Sequence, residues 1–295
     1  MTDTRRDNLR GIAFMVGAMV AFSLMDAALK VLSPHYPPLQ VAAMRGMATV
    51  PLALAWASVD GGLGQLLRVR WGLHALRAVM GIAMLALFAW ALRELPLADA
   101  YAIVFVAPLM ITALAVPLLK EHVDARRWAA IGVGFLGVLV VLRPGGGGAA
   151  LSMAGLAVLV AAAMYALSAI MVRVLGRTDT TQSMVFWLMF MVSVGAGLMA
   201  LPNWAAIRPE HWSVLGGLAV TGTIGQYCVT EAFRRGQASV IAPFEYTGLA
   251  WALTLDWVLW HTAPGTRMLV GAAIIIGSGL YLIRRERTHL EAEHP

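Results

Sequence analysis

Asp26, Arg45, Arg77 and Glu245 each stand in a run that is otherwise almost entirely apolar. Residues of these types do recognisable chemistry when held away from water. A carboxylate can carry a proton or bind a cation, and a guanidinium can fix an anion. Lys30 follows Asp26 by four residues, one helical turn. Tyr101, Phe105, Tyr165, Tyr246 and Trp251 add aromatic faces, and Gln226 adds an amide. Aromatic faces suit planar or cationic solutes through stacking and cation–π attraction. Packing or lipid contact fits any one of them equally well.

The elements that must position these groups follow from composition. The chain has 295 residues, 60% hydrophobic and 13% charged, with a mean hydropathy of +0.74. A soluble domain is about 45–50% apolar and about 25% charged, so lipid is the expected solvent. A single cysteine, Cys228, excludes an intramolecular disulfide and a thiolate metal cluster. The net charge of +6 comes from basic residues scattered between apolar blocks, not from a nucleic-acid patch. The first apolar run is too long for a signal-peptide core and is expected to stay in the mature chain.

A spanning helix needs about 20 mostly apolar residues. Ten segments qualify: 11–32, 38–58, 72–92, 97–119, 126–143, 152–175, 180–201, 212–233, 238–260 and 265–284. Lysine and arginine alternate between their connections, fifteen on one side and five on the other, with Arg45 and Arg77 left inside helices. By the positive-inside rule both termini lie in the cytoplasm. The expected fold is therefore all-α, with ten transmembrane helices.

Depth predicts two pairings. Asp26 lies about six residues, or roughly 9 Å, below the outer end of its helix, and Arg45 enters the next helix to a similar depth. Arg77 and Glu245 fall within a turn of one another near the inner face. Each pair reads either as packing or as function. Asp26 and Glu245 are expected to be the only well-buried carboxylates. Lys30 can snorkel to the surface. His74, Asp99 and Asp256, close to segment ends, are expected to meet water. Pro108 and Pro243 interrupt helices four and nine, and helix nine is the preferred place of bending. Glycines 132, 134, 137, 271, 277 and 279 are expected to let helices five and ten pack closely.

The run Gly145 to Gly148 divides the chain into five segments on each side, and sparse matches such as Arg127 with Arg267 relate the two. An odd number of spans per half inverts the second half. The stretch Leu95-Pro96-Leu97-Ala98-Asp99-Ala100 to Ala107-Pro108, then Glu121, Arg127-Trp128 and Leu142-Arg143-Pro144, resembles the first repeat of the EamA family, of the drug/metabolite transporter superfamily. Arg234 to Ser239, Ala242 to Gly248 and Gly271 to Gly279 resemble the second. His261 stands where the first repeat has Glu121. The resemblance implies repeats at 9–143 and 152–285 joined by a linker at 144–151, in a bacterial inner membrane.

It also implies a secondary transporter of a small metabolite, alternating access as the two five-helix halves rock, with proton coupling an option. An importer of the riboflavin or S-adenosylmethionine type is favoured over an exporter of amino acids or toxic cations. A homodimer is compatible with it. No phosphate-binding loop, zinc motif or nucleophile elbow is present, and the seven histidines lack ligand spacing. No cofactor and no metal is therefore expected. An intramembrane enzyme acting on a lipid-linked substrate is the rival class, but the connections are too short for an aqueous site. A receptor or scaffold would need no inverted duplication.

Overall fold

The computed structural model describes residues 2–32, 34–59, 62–91, 94, 100, 103–142, 152–261 and 265–291. Among these the chain is helical, with no strand. The long helices are α1 (Thr2–Leu32), α2 (Pro38–Val59), α3 (Trp71–Ala91), α4 (Ala107–Leu119), α5 (Ala125–Leu142), α6 (Met153–Leu175), α7 (Thr181–Ala200), α8 (Trp212–Arg235), α9 (Thr247–Trp260) and α10 (Thr266–Glu291). α1, α2, α3, α6 and α7 are long and apolar enough to cross a membrane. In lipid every backbone polar group needs an internal partner, and apolar runs of this length satisfy that need only as helices. Polar caps mark two of the starts: the side chains of Ser152 and Thr180 accept hydrogen bonds from the amides of Gly155 and Ser183.

The predicted ninth segment is not one helix. It is a single helical turn (Ala238–Ile241), a 3-10 stretch (Ala242–Tyr246) and then α9. Pro243 lies in the 3-10 stretch, where its missing N–H and rigid ring forbid a continuous α-ladder. The fourth segment behaves similarly. Phe105 and Val106 form a turn before Pro108 enters the first turn of α4. The linker at 144–151, with Arg143, Asp99 and Tyr101, lies outside the described residues, as does the side chain of Asp256.

Packing pairs helices from opposite ends of the sequence: α1 with α8 and α9, α2 with α7 and α8, α3 with α6 and α7, α4 with α6, and α5 with α10. Most close helix contacts therefore run between the first five helices and the last five, so the two sets interleave.

Close approach between α2 and α7 depends on Gly46. A Cβ there would lie 2.5 Å from the Ser193 Cβ and 2.9 Å from the Met189 carbonyl oxygen. Gly46→Ala is expected to lower stability by about 1–3 kcal/mol through overpacking. Gly132→Ala, which meets open space, should be neutral or better. Thermal unfolding of the two variants in detergent checks this. The α5–α10 glycines divide in the same way: a Cβ on Gly137 would be 2.9 Å from Ile275 and 3.0 Å from the Gly271 oxygen, while Gly132 and Gly277 face open space. Only part of that predicted glycine seam is a seam.

Candidate functional site

On α6, Tyr165 and Ser168 are three residues apart and so share a face. Each engages one of the charges predicted to pair. The Arg77 Nε donates to Ser168 Oγ at 3.1 Å, and its Nη1 reaches the Met184 carbonyl at 3.5 Å. The Tyr165 hydroxyl donates to Glu245 Oε1 at 2.9 Å. Arg77 and Glu245 therefore do not form an ion pair. Both are nonetheless buried, with exposures of 4% and 7%. A buried charge answered only by neutral donors and acceptors is under-compensated. The Glu245 Oε2 has no partner among the described residues. Beside Glu245, Tyr246 is fully buried with its hydroxyl unpartnered, and its ring lies 6.1 Å from that of Phe105.

A second group forms around α1. Met19, Phe22, Ser23 and Asp26 recur at helical spacing. The first three touch α8 or α9: Phe22 fills the space beside Gly225, Met19 packs at Gly248, and Ser23 Oγ donates to the Gly248 carbonyl at 3.3 Å. The Arg45 guanidinium lies 5.5 Å over the Phe22 ring, with its Nε buried and unpartnered. Asp26 makes no ion pair with it and is exposed, which corrects the expected buried pair. Gln226, next to Gly225, is 7% exposed, and its side-chain amide has no hydrogen-bond partner among the described residues. The Ser23–Gly248 bond ties this group to the segment that carries Glu245. Trp251 and Lys30 are exposed, and Tyr101 lies outside the described residues.

Three further carboxylates are buried, so the expectation of only two is also corrected. Glu121 accepts from the amides of Ala238 (2.8 Å) and Ser239 (3.0 Å) and from Ser239 Oγ (2.6 Å), capping the turn that opens the ninth segment. Glu231 accepts from Thr181 Oγ1, Arg235 Nε and Arg234 Nη1. Asp179, between α6 and α7, accepts from His74 Nε2 (2.8 Å), Thr178 Oγ1 (2.6 Å) and the Arg70 amide (3.1 Å). His74 is thus covered by that connection and does not meet water. Arg173 Nη1 donates to the carbonyls of Arg234 and Arg235, and Asn8 exchanges bonds with Gln237. These ties gather at one end of the bundle. At the other end, Tyr36 bonds His211, and Gln40 bonds the Ala205 backbone twice.

Burial pushes the Asp179 carboxyl up, but hydrogen bonds from Thr178, His74 and Arg70, with the His74 charge, outweigh it and hold the group below its usual 3.8. A depressed folded-state value stabilises above the unfolded value, and that stability is lost as pH falls through the folded one. Wild-type stability should therefore drop below pH 3.8. Asp179→Asn should already have lost this contribution at neutral pH and should show a flatter acid limb in unfolding titrations.

A family model described as the EamA-like transporter family matches residues 9–143 and 152–285. A riboflavin transporter of Vibrio cholerae is 27% identical over 282 residues, covering 94% of each chain. An S-adenosylmethionine uptake transporter of Rickettsia prowazekii is 24% identical over 294 residues, covering 100% of this chain and 99% of that one. A pseudopaline exporter of Pseudomonas aeruginosa is 25% identical over 287 residues, covering 94% and 97%. One solved crystal structure superposes with a TM-score of 0.83 at 18% identity, over 94% of this chain and 98% of that chain, a likeness of fold. With apolar helices, buried charges between them and this match, the chain belongs to the EamA-like transporter family, as a multi-pass inner-membrane secondary transporter of small metabolites.

Proposed function

We propose that the chain imports a flavin of the riboflavin type, held between Phe105 and Tyr246, Gln226, Arg45 and the Arg77–Tyr165–Glu245 group. The observation that carries this reading is bonding capacity left unfilled in an apolar setting: the Gln226 amide, the Arg45 Nε and one oxygen of Glu245. A flavin has a broad aromatic face and an imide edge alternating acceptor and donor, which a glutamine amide matches in a bidentate way. Its polyol tail offers hydroxyls to charged groups such as Arg45 and Asp26. The similarity to proteins named as riboflavin transporters supports the same substrate class.

The reading includes ten spans with both termini in the cytoplasm, as inverted repeats at 9–143 and 152–285. Two observations support it besides the charge alternation. Exchanging each helix with the one five places later maps the packing pairs onto themselves: α1–α8 with α6–α3, α1–α9 with α6–α4, α2–α8 with α7–α3. In addition, Lys120 and His261, the two non-glycine residues with positive φ among those described, directly follow α4 and α9. In this topology the ties of Glu121, Glu231, Arg173, Asn8 and Asp179 lie at the cytoplasmic end. Import then requires them to part, and the moving bodies each hold helices from both repeats.

Asp26, exposed and not bonded to Arg45, favours one second reading, a cationic substrate such as S-adenosylmethionine. Thermal unfolding of the purified protein with riboflavin or S-adenosylmethionine separates the two. Ligand at 100 times its dissociation constant stabilises by about 2.7 kcal/mol. Riboflavin should raise the unfolding midpoint, and Gln226→Ala should remove most of that rise. A response to S-adenosylmethionine alone would overturn the flavin reading, as would silence with both.

A further inference from the structure

The outer surface between α5 and α10 carries a groove of about 420 Å³, lined by Arg126, Ala130, Val133, Ile274, Gly277 and Tyr281. That is the size of a site for one small ligand or one chain of a larger one. Along α5, Arg126, Ala130 and Val133 follow the i, i+4, i+7 rule and form a single stripe. The stripe descends from the first turn, through about 10 Å of rise, into the apolar part of the helix. Gly277 shapes the facing wall: a Cβ there would meet nothing within 4 Å, so the missing side chain is open groove. Of the two hydroxyl-bearing residues on that wall, Ser278 and Tyr281, Ser278 already donates its proton to the Ile275 carbonyl.

Arg126 is different from its neighbours. Arg127 bonds the His122 carbonyl, whereas Arg126 is exposed and makes no hydrogen bond or ion pair among the described residues. The groove is thus apolar over its depth and cationic at its mouth. Its mouth lies where α5 emerges from the apolar layer, the level of lipid headgroups. An occupant must bring an apolar chain and an anion together, with the anion at that level. A zwitterionic lipid would place a second cation beside the guanidinium.

We propose that this groove is a site for an anionic phospholipid, one acyl chain lying against Ala130, Val133, Ile274 and Gly277 and the phosphate held by Arg126. On the topology proposed above it faces the cytoplasmic leaflet, where basic residues and anionic lipids meet. It is separate from the Glu245 group, and its test needs no transport substrate, so it stands or falls independently of the flavin reading.

Native mass spectrometry of the full chain, purified in detergent, tests it with equimolar phosphatidylglycerol and phosphatidylcholine of identical acyl chains. The wild type should retain one phosphatidylglycerol in preference by about fivefold, the effect of one basic residue near an anionic surface. Arg126→Gln should abolish the headgroup preference while lipid is still retained. Gly277→Leu should lose retention of both lipids. Arg127→Gln should keep the wild-type preference, and free glycerol 3-phosphate should not compete. Equal retention of the two lipids by the wild type would overturn the proposal. So would a preference that survives both groove variants, an equal loss in Arg127→Gln, or competition by glycerol 3-phosphate, which would mean a simple anion site.

Discussion

Glu121→Ala is expected to destabilise the folded protein by about 3 kcal/mol or more, because two buried backbone donors lose their acceptor at about 1–3 kcal/mol each. The carboxylate sits in the connection between α4 and α5 and bonds the amides of Ala238 and Ser239 and the Ser239 hydroxyl. Ala238 and Ser239 are buried, so water cannot replace the lost acceptor. The negative charge also faces the amide end of the Ala238–Ile241 turn, where such charge is favourable. Glu121→Gln keeps one acceptor oxygen but cannot serve both amides, and should fall between wild type and Glu121→Ala. Glu210→Ala, at an exposed surface pair with Arg208, should change stability by well under about 1 kcal/mol. Unfolding in mild detergent measures all three. A loss for Glu121→Ala no larger than that of Glu210→Ala would mean that the cap contributes nothing.

The same residue marks where sequence reasoning reaches its limit. Helix positions were legible because apolar length and basic flanks leave few alternatives. α2, α3, α6 and α7 begin and end within a residue or so of their expected bounds. α1 and α10 run past theirs into polar sequence, since a helix need not end where lipid does. Pro243 announced the break in the ninth segment. Side-chain partners were less legible. Rise along a helix gives depth, but not the direction in which a side chain points around the axis. Depth alone brought Arg77 level with Glu245 and Asp26 level with Arg45. The rotation of α6 puts Ser168 and Tyr165 where Arg77 and Glu245 find their bonds, and a lone serine in an apolar helix carries no signal. His74 looked wet because it starts a helix, yet the α6–α7 connection folds Asp179 over it, a tertiary contact that no periodicity encodes. Glu231 is hidden by its neighbours: Arg234 and Arg235 belong to the basic side of the charge alternation, and they are also its ion-pair partners.

Glu245→Gln should reduce gradient-driven accumulation of substrate to background while leaving the protein folded. The reason lies in what Glu245 lacks. A carboxylate with a purely structural role at this depth would be expected against Arg77, since a buried charge left without its partner costs several kcal/mol. Glu245 is held instead by the Tyr165 hydroxyl, with its other oxygen unpartnered, beside a helix break at Pro243. A membrane-embedded carboxylate in that setting is a site for a proton or a substrate. Glutamine preserves the shape and can still accept from Tyr165, and an uncharged amide costs no more to bury than a carboxyl with one oxygen unpartnered, so the fold loses little. The unfolding midpoint of Glu245→Gln should therefore equal or exceed that of the wild type. Tyr165→Phe should weaken accumulation less, since it removes the orienting bond and leaves the carboxylate. Proteoliposomes with an imposed pH gradient provide the measurement, and solute counterflow without a gradient provides its partner. If Glu245 carries the coupling proton, the glutamine variant should lose accumulation and keep counterflow. If it binds substrate, both should fail. Undiminished accumulation would remove Glu245 from the transport cycle and leave the Tyr165 bond as a packing contact between α6 and the ninth segment.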